Sequence, residues 1–263
     1  MAYREHRVPR PLSELVECGW VDTAEADGVH PVLPDGCMDL VWTGSELLVA
    51  GPDTVARAAV RERGVTTAGL RFAPGALPSL LTVPAVELHN RSVELADLMR
   101  APARAAVARL EAGDGALRVL AVLTGQLPGS PPDPSVTALR SALAPDRPRP
   151  GEASSGLLRA HSSPESVAAL ADMLGWTTRS VHRRCLSAFG YGPAVLRRVL
   201  RFRRAMALLH AGTAPADVAA LAGYADQPHL SREVRALAGA SPGQLASGAN
   251  RSTPLPSGSW TTA

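Results

Sequence analysis

Apolar and polar positions change their period along the chain. Up to Ala73, short apolar runs (VECGWVD, HPVLPDGCMDLVWTG, ELLVAGPDT, TTAGLRFAPGA) are cut by turn residues at Pro34-Asp35-Gly36, Thr43-Gly44 and Gly51-Pro52-Asp53, the spacing of short strands. A small β-rich unit is predicted there. From Gly75 the texture turns Ala- and Leu-rich at helical spacing, as in VELADLMRAPARAAVARLEAGDGALRVLAVLTGQL, so a helical segment leads out of the β unit. The stretch LPGSPPDPSVTALRSALAPDRPRPGEASS follows, and its prolines predict extended, semi-rigid chain around one short set of helical turns.

Beyond that stretch the pattern is helical. Val167, Leu170, Ala171 and Leu174 recur at i, i+3, i+4 and i+7 behind Ser163-Pro164-Glu165, and Gly175 supplies a stop,. A second helix follows, capped by Thr177 or Thr178, with Val181 and Cys185 inward and Arg179, His182, Arg183 and Arg184 outward,. Helix, tight turn and basic-faced helix is the helix-turn-helix plan. The plan occurs twice. Gly175-Trp176 is echoed by Gly223-Tyr224, and Val181, Arg183, Cys185, Gly190 and Pro193 are echoed by Leu230, Arg232, Val234, Gly239 and Pro242,. Between the copies, PAVLRRVLRFRRAMALLHAG carries Val195, Val199, Phe202, Met206 and Leu209 on one face. A helix of that length spans roughly 28 Å, a little under one turn of B-DNA at about 34 Å.

The 263 residues allow one or two domains,. Formal charge is only +3, so the whole surface is not a polyanion trap and any nucleic-acid contact must be local. By segment the balance is −4 over residues 1–154, +6 over 155–245 and +1 over the last 18. Every basic residue is Arg and Ile is absent, a composition of GC-rich bacterial genes, so an arginine counts only through its position. Cys18, Cys37 and Cys185 form no CxxC pair, which excludes a disulfide scaffold and a four-cysteine zinc site,. No apolar window reaches membrane-span length and the N-terminus lacks a signal-peptide core,, so a cytoplasmic protein with no membrane partner is expected. GxSxG, P-loop, HExxH and Rossmann fingerprints are absent,.

The stretches VAALADMLGWTTRSVHRRCLSAFGYGPAVLRRVLRFRRAMALLHAG and DVAALAGYADQPHLSREVRALAGASPGQL resemble the AraC/XylS family of bacterial transcription regulators over about Ser163 to Leu245. GYADQPHLSRE followed by GASP lies close to the family signature around its second recognition helix. Cys185 and Val234 stand where the family usually has Phe, which implies less bulk in the packing and an unchanged basic face. VLPDGCMDLVW, VAGPDT and AGLRFAPGALPSLLTVPAVELHNRSVELADL resemble, more loosely, a sensor-type domain of cupin-like β architecture.

The fold class expected is therefore α+β multidomain: a β-rich, cupin-like N-terminal sensor or oligomerisation domain with a helical C-terminal part (1–127), a Pro-rich linker (128–154), an all-α AraC-type double helix-turn-helix domain (155–246) and a disordered tail (247–263). The function expected is sequence-specific DNA binding for transcription regulation, with two recognition helices in adjacent major-groove segments. A segment from about Pro150 to Ser247 is expected to fold alone. Arg183 and Arg232 can each pair bidentately with guanine or with a phosphate, and Gln227 can read adenine. His182 and Ser231 offer single hydrogen bonds, Arg235 offers a phosphate contact, Arg179 and Arg184 are further DNA-binding candidates on the outer face, and His229 stands evenly between packing and phosphate. Asp226 suits a helix N-terminus better than DNA. Arg197, Arg198, Arg201, Arg203 and Arg204 crowd the spacer, some facing phosphate and others the acidic N-terminal domain.

Partners expected are double-stranded DNA, with room for a small-molecule effector, a homodimer and, for an activator, RNA polymerase. In the N-terminal unit His30, Asp35, Cys37, Asp39, Arg71 and His89 are the polar candidates. Neither His has the neighbouring His a cupin metal centre would want, so no catalytic residue, cofactor or metal ligand is assigned. Arg71 reads as a structural ion pair, and Cys18 and Cys37 as small buried apolar residues. A cupin-like metal or small-molecule enzyme fused to a DNA-binding module is the alternative reading.

Overall fold

The structure is a computed structural model that describes residues 3–144 and 166–246. The Ser163–Glu165 helix start, much of the expected linker and the expected disordered tail lie outside the described residues. Strands β1 (Arg4–His6), β2 (Val16–Thr23), β4 (Met38–Trp42), β5 (Leu47–Ala50), β7 (Thr66–Phe72) and β8 (Ser92–Glu94) form one antiparallel sheet in the order β1-β2-β7-β4-β5-β8. Strands β3 (Gly28–Val32) and β6 (Arg57–Arg61) form a separate two-stranded ribbon.

The period-2 geometry of a strand divides the large sheet into two chemistries. Met38, Leu40 and Trp42 of β4, Leu47 and Val49 of β5, and Leu70 and Phe72 of β7 point to one side, where all are buried. On that side helices α1 (Ala76–Leu81), α2 (Leu95–Leu98), α3 (Arg100–Glu111) and α4 (Ala116–Thr124) close the first core with Leu77, Leu95, Ala103 and Leu120. The residues between them, Asp39 and Val41, Leu48 and Ala50, and Arg71, face the ribbon. In β2 a bulge between Val16 and Cys18 reverses the parity, so Val16 joins the helix-side core while Trp20 and Asp22 face the ribbon side,. Gly69 is required there: a Cβ on it would sit 2.4 Å from the Trp20 ring.

The helical part repeats one unit. Helix α6 (Val167–Leu174) is capped by Ser166, whose Oγ accepts from the Ala169 N–H at 3.0 Å, and ends at Gly175 in the left-handed region. Helix α7 (Thr178–Phe189) is capped by Thr177, which accepts from the Ser180 N–H at 3.2 Å. Helix α8 (Pro193–His210) joins this pair to α9 (Pro215–Leu221) and α10 (Gln227–Ala238), with α11 (Pro242–Ala246) after them. Asp226 caps α10 by accepting from the His229 N–H at 2.6 Å, the same bond as Thr177 to Ser180 one repeat later. Gly190 and Gly239 end α7 and α10 at φ of 81° and 72°, a conformation that L side chains avoid. Loss of either cap, in Thr177→Ala or Asp226→Ala, will cost about 1 kcal/mol and lower the melting temperature by roughly 2–4 °C, read by scanning calorimetry.

Two cores serve the two units. Leu170, Val181, Cys185, Phe189, Leu196 and Val199 form one, and Phe202, Met206, Val218, Leu230, Val234 and Leu245 the other. Helix α8 contributes its first half to one and its second half to the other, which makes it the shared beam. Cys185 and Val234 are both fully buried, one in each core.

The expected linker contains a packed element. Residues Pro134–Leu143 form a ten-residue helix, α5, capped by Asp133, whose carboxylate accepts from the Ser135 N–H at 2.7 Å. Its Leu139 and Leu143 are 0% exposed, inside the core of the first helix-turn-helix unit. The Leu139-to-Leu143 spacing is an amphipathic signal that the flanking prolines mask. A segment beginning at Pro150 would lack both leucines, so the unit that holds its own core begins at Asp133.

Candidate nucleic-acid interface

On α7, Arg179, His182, Arg183 and Leu186 are exposed at i, i+3, i+4 and i+7, one continuous stripe on the side opposite Val181 and Cys185. One repeat later, Pro228, Ser231, Arg232 and Arg235 occupy the matching stripe of α10; all but the half-buried Ser231 are exposed. Arg183 and Arg232 coincide under the repeat, and Gln227 is exposed at the first turn of α10. The stripes are not identical, since Pro228 stands opposite Arg179 and Arg235 opposite Leu186.

Two sequence-assigned residues are turned elsewhere. Arg184 does not join the outer face: its guanidinium lies 4.7 Å over the Trp176 ring and donates from Nη1 to Ser135 Oγ at 2.9 Å. It pins α5 to α7, one position round the helix from the exposed stripe. The His229 ring packs edge-on against Tyr224 at 5.3 Å, and its Nδ1 accepts from the Ala225 N–H at 3.3 Å. His229 is a packing and turn-closing residue.

The spacer arginines hold the two halves in place. Arg198 Nε donates to Glu233 of α10 at 2.7 Å, and Arg201 lies 3.9 Å from the same carboxylate and 4.7 Å over the Tyr224 ring. Arg204 Nε donates to the Leu221 carbonyl at 2.8 Å. Arg203 leaves the unit altogether. Its Nη2 pairs with Glu17 of β2, and Nη1 lies 3.4 Å from the Sγ of Cys37. The sequence set some of the five spacer arginines against the acidic N-terminal domain; that Arg203 is one of them and Glu17 its partner is seen only in the structure.

Further contacts tie the N-terminal domain to the C-terminal ends of both exposed helices. At the end of α7, a Cβ on Gly190 would come within 2.7 Å of Pro52, and the His89 ring packs edge-on against Tyr191 at 5.8 Å. At the end of α10, the Ala56 N–H donates to the Leu237 carbonyl at 2.7 Å, and Leu33 is buried in the second core. Arg179 and Gln227, in the first turns of α7 and α10, lie at the opposite ends of their helices from these contacts.

Comparison with known proteins follows this division. Residues 170–247 match the family described as Helix-turn-helix domain, and residues 4–94 match the family described as Domain of unknown function (DUF6597). The chain carries an AraC-type helix-turn-helix domain. It is a DNA-binding transcription regulator, with a β-rich N-terminal region ahead of the AraC-type domain. Among solved structures, an apo point variant of ToxT from Vibrio cholerae aligns at 11% identity over 87% of this chain and 96% of that one, with a TM-score of 0.47. Wild-type ToxT from the same organism, bound to an unsaturated fatty acid, aligns at 10% over 86% and 93%, with a TM-score of 0.46. No curated protein matches the chain.

The polar candidates of the N-terminal region separate into two groups. His89 belongs to the contact with Tyr191. Asp35, Asp39 and Arg71 converge behind the sheet: Arg71 Nη2 donates to Asp39 at 3.2 Å, and Arg71 Nε lies 3.4 Å from Asp35. Burial pushes the Asp39 carboxyl up to about 6, against the pull of Arg71,. Burial also raises the Cys37 thiol well above its ordinary value, and Cys18 to about 12, the state of unreactive buried thiols. Among the described residues, no three His, Cys, Asp or Glu side chains converge as a metal site would, and no helix is long and apolar enough to cross a membrane.

Proposed function

We propose that this regulator reads one operator with two recognition helices, α7 and α10, laid in successive major-groove segments. The observation that carries the reading is the duplicated stripe on one beam: Arg183 and Arg232 are equivalent exposed residues on helices joined by α8, whose 18 residues span roughly 27 Å. Half-sites one turn apart lie about 34 Å from centre to centre. Arg183 and Arg232 reach guanine or phosphate, Gln227 adenine, and His182 and Ser231 single acceptors. Arg179 and Arg235 neutralise phosphates, which supplies affinity and register.

In this reading residues 3–127 form the control domain, for an effector or for homodimer assembly, and Asp133 to Ala246 form the DNA-binding domain. The control domain carries no catalytic site, the protein works in the cytoplasm, and as an activator it would also meet RNA polymerase. The test is binding of the full chain to duplex DNA by fluorescence anisotropy across a salt series, followed by site selection. Affinity will fall with salt at a log-log slope of about −0.9 per phosphate contact, and selection will return two conserved blocks about one turn apart. Binding that ignores salt, or a single-block motif, would overturn the two-helix reading.

A further inference from the structure

The two copies of the repeated unit are not held alike. Gly190 and Gly239 are equivalent under the repeat, and each ends its helix in the left-handed region. Around Gly239 nothing lies within 4 Å of where a Cβ would stand, whereas a Cβ on Gly190 would meet Pro52 at 2.7 Å and the Ala85 carbonyl oxygen at 3.0 Å. The N-terminal domain approaches the end of α7 as closely as only glycine permits. The end of α10 is held by a bond instead. The Leu237 carbonyl, one of the last four of that helix and so without a partner inside it, accepts from the Ala56 N–H at 2.7 Å.

Pro52 and Ala56 belong to one short connection, residues 51–56 between β5 and β6. The connection is braced from behind. A side chain on Gly51 would collide with the Leu88 carbonyl, and the Gly51 N–H donates to the Arg91 carbonyl at 2.8 Å. Asn90 Oδ1 accepts from the Thr54 N–H at 2.9 Å and from the Thr54 hydroxyl at 3.2 Å, while the Asn90 N–H donates to the Pro52 carbonyl at 3.1 Å. Asp53, only 6% exposed, pairs with Arg57 at 2.9 Å. A connection tied at most of its residues keeps few conformations.

Such a connection bears on what the helices can read. The covalent link between the copies is α8, and a helix of that length can curve. Each of α7 and α10 has 12 residues and is roughly 18 Å long, so a rotation at the held end is carried to Arg179 and Gln227 at the other. We propose that residues 51–56 form a strut that fixes the separation and relative angle of α7 and α10, and that through it the N-terminal domain sets the spacing between the two operator blocks that the full chain accepts. Pro52, Ala56 and Gly190 are its positioning residues. The operator half of the inference rests on the reading that both helices enter one operator.

The repeat supplies the control. Gly190→Ala and Gly239→Ala both place a side chain in the left-handed region, but only Gly190→Ala pushes on the strut. Asn90→Gly keeps its own left-handed φ of 55°, removes the bonds to Thr54 and touches no residue of the helical part, so it decides the matter should Gly190→Ala not fold. The full chain is nitroxide-labelled at Arg179→Cys and Gln227→Cys, since Cys18, Cys37 and Cys185 are buried, and the distance between labels is measured by pulsed EPR without DNA. The parent and Gly239→Ala will show one narrow distribution; Gly190→Ala and Asn90→Gly will broaden or shift it. Unlabelled proteins are then titrated with the selected operator and with the same operator carrying one extra base pair between its blocks, which moves the second block by about 3.4 Å and about 34° round the duplex. The insertion will cost the parent and Gly239→Ala at least about fivefold more affinity than it costs Gly190→Ala or Asn90→Gly. Equal distance distributions in parent and Asn90→Gly, or equal broadening in Gly190→Ala and Gly239→Ala, would overturn the strut. Broadened distances with the parent's spacing preference retained would overturn its role at the operator. A parent indifferent to the insertion, with distances broadened as expected, would uphold the strut and place the failure in the two-helix reading.

Discussion

Arg183→Ala and Arg232→Ala will each relax base preference in a different block of one operator, the two blocks lying about one helical turn apart. The two side chains are equivalent under the repeat and exposed on α7 and α10. Their helices are capped by equivalent bonds, from Thr177 to Ser180 and from Asp226 to His229. A bidentate pair with guanine carries about 1–3 kcal/mol of discrimination, so each variant will lose from about fivefold to about 150-fold for its own block. Arg235→Ala, one turn further along α10, will instead weaken all sequences alike and reduce the salt slope by about one. Site selection on the three variants decides the assignment. If Arg183→Ala and Arg232→Ala lower affinity uniformly and return the parent motif, both are phosphate clamps.

Arg203→Ala will loosen the contact between the two domains. Arg203 and Glu17 have side chains only 14% and 17% exposed, and removing one member of such a pair leaves the other charge without a partner, a loss of about 3–5 kcal/mol. Replacing both, in an Arg203→Met/Glu17→Met double variant, will recover most of that loss because no charge is stranded. Chemical denaturation of parent, single and double variants forms the cycle. An Arg203→Ala protein within about 0.5 kcal/mol of the parent would show that the pair contributes nothing to docking.

The helix-turn-helix half was legible because its signals are local. Cap residues, left-handed glycines and apolar positions three and four apart act within one or two turns, and their recurrence in a second copy turned a weak local pattern into an architecture. Arg179, His182, Arg183, Arg232 and Arg235 are exposed where the helical period puts them. Arg184 differs because it lies at the boundary of the helical face: Trp176 and Ser135, the latter 49 residues distant, drew it inward. His229 had two readings in sequence, and the Tyr224 ring, brought beside it by the α9–α10 turn, selects packing.

In the N-terminal half the chain determined by itself that there would be short strands with two unlike faces, because alternation is written in the order of residues. Asp39 and Arg71, each a charge inside an apolar strand, marked the unusual face. Which faces would meet was a matter of tertiary structure. The bulge in β2, the pairing of β4 with β7 that sets Asp39 opposite Arg71, the ribbon across from the sheet and the packing of α5 all join segments far apart in sequence. Such contacts are fixed by shared burial and by charges that find partners only after collapse, and no local spacing encodes them. The two stripe-bearing helices, α7 and α10, were determined by the sequence; the contacts of Leu33, Ala56 and the Arg203–Glu17 pair with the helical part were decided only when the two domains packed together.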